Sequence, residues 1–238
     1  MTKDIPVQQF VIDTLINENA DIICLVEYVT DKGIEENLKN DYWFEESDTI
    51  SGNRVLIAVK KALAPDGIQV INRDEVRDCY NFLHIEILMN NKQLSVIGVR
   101  MLSPMVAEEQ TPPLMKYLSE LETPFLCTGD FNIQQYRMSK WFHGISMENI
   151  VNTNLPLSKS SIIYTDKKNH HITGYGAVDH VLHSDDISVS SQYAWDFLSA
   201  YSGYPNIDRI AIGALWKIDP AYPDHALMVS DFYFTKQT

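Results

Sequence analysis

The stretch Pro124-Phe125-Leu126-Cys127-Thr128-Gly129-Asp130-Phe131-Asn132 constrains this chain more than any other. Phe125 to Cys127 is a short apolar run, the pattern of a strand buried on both faces. The run stops in Gly-Asp-Phe-Asn. Gly129 has no Cβ and allows a sharp turn. The turn sets a carboxylate and a carboxamide two residues apart at the carboxyl end of a strand, where open α/β sheets build their sites. A carboxylate there can hold a hard cation or move a proton. An amide can donate to a phosphate oxygen or orient water. The same four residues also make an ordinary Asx-type turn after a strand. On these residues alone both readings stand.

The flanking sequence predicts alternating helices and strands. Val7, Phe10, Val11, Thr14 and Leu15 recur near helical spacing, which predicts a helix over 6–19 with Pro6 in its first turn. Ala20 to Val26 reads as a buried strand with Glu27 at its end. A carboxylate directly after a buried run is notable, because ionised carboxylates are seldom buried without a partner; it also fits the start of a solvated loop. Arg54 to Lys60 reads as a strand after a turn at Ser51-Gly52-Asn53. Phe82 to Leu88 alternates, Asn90-Asn91 is a hairpin turn, and Leu94 to Met101 is the partner strand. Thr111 is placed as the cap of a helix opening with Pro112 and Pro113 and carrying Leu114, Leu118 and Leu121. Met138, Trp141 and Phe142 point to a short helix or compact loop.

Lys159 to Thr173 is polar, with Lys167, Lys168, His170 and His171, and reads as an exposed loop rather than a phosphate-binding one. Val178 to His183 is a short strand containing Asp179 and His180. The stretch 193–216 is aromatic (Tyr193, Trp195, Phe197, Tyr201, Tyr204, Trp216) and reads as a packed insertion before it reads as a recognition platform. Asp224-His225 precedes a final strand, Ala226 to Phe234. No repeat, low-complexity tract or linker interrupts the 238 residues, so a single domain over 1–238 is expected.

A formal net charge of −13 argues against broad attraction to nucleic acid or anionic membrane. It leaves room for a local basic groove and suits carboxylates gathered around a divalent cation. No apolar run is long enough to span a bilayer. The N-terminal residues lack a basic-then-apolar signal pattern. Cys24, Cys79 and Cys127 have no metal-ligand spacing. Together these features predict a reducing compartment, the cytoplasm.

Glu27, Asp130, Asp179 and Asp224 each lie at a strand edge on a separate part of the chain, with Asn132 and His225 beside two of them. A His near a carboxylate can be oriented and held protonated by it. Oxygen ligands suit Mg²⁺ or Mn²⁺, and zinc coordination is not indicated. In this order the segments Asp21-Ile-Ile-Cys-Leu-Val-Glu27, Thr128-Gly-Asp-Phe-Asn132, Val178-Asp-His-Val-Leu182 and Pro223-Asp-His225 resemble the endonuclease/exonuclease/phosphatase (DNase I-like) superfamily over most of the chain.

The resemblance implies an α/β fold, a two-sheet sandwich flanked by helices. It implies a Mg²⁺- or Mn²⁺-dependent hydrolase that cleaves a phosphoester by in-line attack of water. Glu27 would be the principal metal ligand and Asp224 would support the metal or its network. Asp130 would activate or position the water, with a general acid role also argued in some members. Asn132 would bind the phosphate and fix Asp130, and Asp179 would orient His225, which would contact the scissile phosphate. Relatives usually begin with a strand carrying an Asn at its end, and no such strand is legible before the first helix. Arg100 stands at a strand end where relatives often carry His or Tyr, and is read as a bidentate phosphate contact. Ala177 stands where nuclease relatives often carry Arg. DNA is the substrate the resemblance favours; a small-molecule or lipid phosphoester and a non-catalytic scaffold are the alternatives.

Overall fold

Strand pairing begins where the apolar alternation is strongest. The structure is a computed structural model that describes residues 7–30, 33–49, 53–73, 80–101, 104–138, 149–153, 160–166, 168–195, 212–213 and 224–235. The strands β5 (Tyr80–Met89) and β6 (Lys92–Met101) pair antiparallel from Tyr80 opposite Met101 to Met89 opposite Lys92. Asn90 and Asn91 turn between them with φ of 51° and 62°. Asparagine tolerates this left-handed conformation, which the tightest hairpin turns require.

Chain order runs α1 (Gln9–Glu18), β1 (Ile22–Tyr28), α2 (Ile34–Leu38), β2 (Tyr42–Glu46), β3 (Arg54–Lys60), β4 (Gln69–Asn72), β5 and β6. It continues through α3 (Pro104–Ser119), β7 (Phe125–Asp130), β8 (Ile150–Asn152), β9 (Ile162–Thr165), β10 (Ile172–Gly176), β11 (Asp179–Ser184), β12 (Ile187–Ala194) and β13 (Leu227–Phe234). Six strands form one sheet in the order β4-β5-β6-β7-β11-β8. Its β6–β7 pair is parallel, with α3 as the crossover between them. A second sheet has the order β1-β3-β2; β9–β10 and β12–β13 are separate antiparallel pairs.

Three apolar clusters define the layers. Leu83, Ile85, Ile87, Leu94 and Val96 of the large sheet pack on Val55, Ile57 and Val59 of β3, which is the core between the sheets. Ile97, Val99, Phe125 and Cys127 face the other way, onto Leu114, Met115 and Leu118 of α3. Ile12, Leu15, Ile34 and Leu38 of the first two helices cover Ile23, Leu56 and Ala58 on the outer face of the small sheet. The molecule is thus a helix-sheet-sheet-helix sandwich. Strands buried on both faces read as continuous apolar runs, which is the pattern of Phe125 to Cys127.

Several expectations shift. The third helix begins at Pro104, not at Thr111. Proline is at home in a first turn but costs a helix interior its donor. Here Pro112 and Pro113 lie inside the helix, and burial of Leu114, Met115 and Leu118 against the sheet holds it together across them. The region 159–173 is not simply a loop, since Ile162–Thr165 and Ile172–Gly176 pair across it and the polar residues around 168–171 form the tip. β1 runs past Glu27 to Tyr28, and its pairing with β3 shifts register between Leu25 and Tyr28. No strand precedes α1 among the described residues. Of the aromatic stretch, Tyr193 is buried in β12, and the Trp195 indole donates to the Ser160 carbonyl at 2.9 Å. Phe197, Tyr201, Tyr204 and Trp216 lie outside the described residues, as do Cys79, Trp141, Phe142 and Lys167. No described helix is long and apolar enough to cross a membrane.

Candidate active site

The register of three adjacent strands makes the first part of the site. Asp130 at the end of β7 lies opposite Arg100 on β6 and opposite Asp179 on β11. Residues directly opposite in a sheet point to the same face, on strands about 4.8 Å apart. One guanidinium and two carboxylates therefore form a row across the sheet.

The turn after β7 fixes Asp130. Gly129 has φ 143°, and a Cβ there would stand 1.9 Å from the Val99 carbonyl oxygen on β6, so only glycine fits. Asn132 takes the left-handed conformation at φ 51°. Its backbone N–H donates to Asp130 Oδ1 at 2.8 Å and its Nδ2 donates to Oδ2 at 2.9 Å. The same Nδ2 donates to the Met101 carbonyl. The Asx turn is thus also what holds both oxygens of the Asp130 carboxylate. Both amide hydrogens of Asn132 point inward, so it fixes Asp130 here, and a phosphate would have to recruit one of them.

His225 arrives from a distant segment. It bridges to Ile162 of β9, and its Nδ1 lies 2.9 Å from Asp179 Oδ2. Burial pulls its basicity down, but the charge and hydrogen bond of Asp179, with Asp130 and Asp224 behind, push the imidazole up to about 10. It is a cation at neutral pH, donating Nδ1–H to Asp179. Asp130 moves the other way for a carboxylate. Burial, then the Asp179 charge, raises it to about 7 against the opposing pull of His225, the Asn132 N–H and Arg100. An acid balanced near neutrality can take up a proton at that pH, and a fixed imidazolium beside it can stabilise negative charge.

Glu27 stands on the bulge of β1 with φ 54°, a backbone conformation rare outside glycine and asparagine. It meets Arg100, whose Nε donates to Oε1 at 3.0 Å and whose Nη2 donates to the same oxygen. Burial pushes the Glu27 acid up, but the guanidinium charge and hydrogen bonds outweigh it and hold the carboxyl below its usual range. Asp224 is exposed; its carbonyl accepts the Ile163 N–H at 3.1 Å and its charge acts on His225. The structure brings the row, Asn132, His225 and Glu27 together, and Asp224 stands at the edge in solvent.

Tyr164 was hidden in the presumed loop. Its hydroxyl accepts from Gln134 Nε2 at 2.9 Å, and Gln134 Oε1 accepts the Ala177 N–H at 3.1 Å. A Cβ on Gly176 would lie 2.6 Å from the Tyr164 hydroxyl, so the pair is packed against bare backbone. Burial, with the charges of Asp130 and Asp179, raises the phenol. The run Ile162-Ile163-Tyr164-Thr165 is rich in β-formers and was the available signal.

The donor set does not fit a divalent cation as it stands. Glu27 is paired with Arg100, both Asp130 oxygens accept from Asn132, and Asp179 Oδ2 holds His225. Among the described residues no three His, Cys, Asp or Glu side chains converge as metal ligands. Hard cations take several oxygen ligands at once.

No family model matches the sequence, and no curated protein sequence matches it significantly. Solved structures do match. TDP2 of D. rerio, complexed with a single-strand DNA product, superposes with a TM-score of 0.66 over 94% of this chain and 90% of its own at 11% identity. An endonuclease/exonuclease/phosphatase family protein from Leptotrichia buccalis gives 0.62 over 94% and 92% at 13% identity. This chain has the DNase I-like fold of the endonuclease/exonuclease/phosphatase superfamily. The human Nocturnin catalytic domain, with a bound sulfate anion, shares that fold at a TM-score of 0.61, 14% identity, and coverage of 95% and 86%. Within that fold, the row of Arg100, Asp130 and Asp179 lies at the strand ends of the large sheet, with Arg100 paired to Glu27 of the small sheet.

Proposed function

We propose that the protein is a phosphoester hydrolase that directs water at a phosphodiester. The observation that carries this reading is Asp130, buried, raised to about 7 and held by Asn132 on both oxygens, with the Asp179-bound imidazolium of His225 beside it. Asp130 positions the attacking water and takes its proton. His225 meets the charge that develops on the phosphoryl oxygens, with Asp179 holding its ring. Fixed donors aimed at developing charge are among the largest contributions in such reactions. Asn132 keeps the Asp130 carboxylate in line, and Arg100 is the second positive group on the phosphoryl side.

Superfamily members generally use divalent metals. Glu27 and Asp224 are the residues such a Mg²⁺ or Mn²⁺ would call on, and their present pairing and exposure leave that cation without a ready set of ligands.

DNA is the first substrate reading, supported by the single-strand DNA product held by the TDP2 neighbour. A compact small-molecule or lipid phosphodiester is the second, favoured by the net charge of −13 and by Ala177 before the late strand. Hydrolysis of plasmid DNA, single-strand DNA and a generic aryl phosphodiester, with Mg²⁺, with Mn²⁺ and in EDTA, tests the function against Asp130→Ala. Equal, background rates for both proteins on every substrate would leave a non-catalytic scaffold. Salt separates the substrates, because binding of a long nucleic acid falls steeply with salt and a compact ester shows a shallow slope.

A further inference from the structure

Arg100 does more than its expected role predicts. It sits at the end of β6 in register with Asp130, and its side chain is 12% exposed. Nε and Nη2 grip one oxygen of Glu27, across from the large sheet to the small one. Nη1 is buried and has no partner among the described residues. A buried donor with nothing to donate to is unfavourable, and a ligand oxygen removes the penalty.

Three of the surrounding carboxylates are committed elsewhere, and the fourth, Asp224, is exposed at the edge. Asp130 serves Asn132, Asp179 serves His225, and Glu27 serves Arg100 itself. A divalent cation at Glu27 would share the carboxylate with a guanidinium that already holds Oε1 through two N–H groups, and would meet its positive charge. A guanidinium already supplies there what a cation would: a fixed positive charge, plus directed N–H donors shaped for tetrahedral oxyanions.

We propose that Arg100 holds the post a divalent cation would occupy beside Glu27, and that the site binds a phosphoryl group through Arg100 and His225 with no metal ion. This rests on the phosphoester reading of the same site. Glu27 is then a positioning residue. It holds the guanidinium by Nε and Nη2, which leaves Nη1 as the donor with no partner among the described residues. The ligand class is a tetrahedral oxyanion, either inorganic phosphate or the phosphoryl group of an ester.

The test uses the full chain and two probes, inorganic phosphate and Mn²⁺. Calorimetry with phosphate in EDTA should show saturable binding whose affinity changes less than twofold when Mn²⁺ replaces EDTA. Electron paramagnetic resonance of Mn²⁺ should show no stoichiometric binding to the wild type, and a new site in Arg100→Met that Glu27→Gln abolishes. Arg100→Met should lose at least tenfold in phosphate affinity, with Arg100→Lys between it and the wild type. If Arg100→Met fails to fold, the wild-type measurements and Arg100→Lys decide. Phosphate binding that is absent in EDTA, stoichiometric Mn²⁺ binding by the wild type that depends on Glu27, or unchanged phosphate affinity in Arg100→Lys would overturn the proposal. Hydrolysis that requires a metal and Asp130 would sink this inference and leave the proposed function standing. Phosphate bound in EDTA by a protein without turnover would do the reverse.

Discussion

Arg100 and Glu27 lie 73 residues apart in sequence and on different sheets, yet the Arg100 Nε stands 3.0 Å from Glu27 Oε1. The contact joins the ends of β6 and β1. Glu27 is 43% exposed at its side chain, so solvent screens the pair and its worth is modest. A double-mutant cycle with Glu27→Gln and Arg100→Met should give a coupling of about 1 kcal/mol in urea unfolding, far from the values of fully buried pairs. A coupling indistinguishable from zero would mean that the contact does not tie the sheets together.

Asn132 should govern the acid limb of the pH–rate profile. Its two hydrogen bonds favour the ionised form of Asp130, whose carboxyl is raised to about 7 by burial first and by Asp179 second. Removing the side-chain bond in Asn132→Ala disfavours the anion and raises that value further. A base must be deprotonated to act, so the rise of kcat/KM with pH should move to higher pH, and the plateau should fall about 10²-fold. An unmoved acid limb would show that Asp130 is not the group titrating.

Gly129→Ala should be among the most damaging single-methyl changes in the chain. The added Cβ would fall 1.9 Å from the Val99 carbonyl at a backbone φ of 143°, so β6 and β7 must separate. A loss of about 3 kcal/mol or more is expected from chemical denaturation. A loss below about 1 kcal/mol would mean that the turn can relax.

His84 makes stability depend on acid. It is 1% exposed, its Nδ1 is 2.7 Å from the Tyr117 hydroxyl, and burial drives its basicity down to about 4. The folded value lies below the unfolded one, near 6.5. Its contribution is therefore fully present above pH 6.5 and is lost as pH falls through about 4. Melting curves from pH 7 to pH 4.5 should show His84→Gln losing less stability than the wild type, by roughly 2 kcal/mol across the range. Parallel losses would assign acid sensitivity to other groups.

What the sequence disclosed follows from how local each signal is. The β5–β6 hairpin, β3, β11 and β13 were legible because alternation, an Asn-Asn turn and apolar runs are properties of neighbouring residues. Gly129-Asp130-Phe131-Asn132 was legible as a site only once Glu27, Asp179 and His225 were read with it. The early start of α3 was hidden because Pro112 and Pro113 look like a helix opening, and tertiary burial of Leu114 and Leu118 overrides that local cost. The β9–β10 hairpin was hidden by its polar tip, and Tyr164 was hidden with it. The Glu27–Arg100 contact depends on how two sheets meet, on a bulge at φ 54° and on the register of β6. None of these leaves a mark in a single stretch of chain.

Asp130, on the proposed function, directs water at phosphorus. Turnover of an aryl phosphodiester in ¹⁸O-enriched water, read by the isotope shift of the product in ³¹P NMR, tests it most directly for the wild type and Asp130→Asn. One ¹⁸O per bond cleaved by the wild type is expected, with the rate falling about 10³-fold or more in Asp130→Asn, whose amide cannot take the proton. Equal rates in the two proteins, or no product above the buffer reaction in the wild type, would contradict the account.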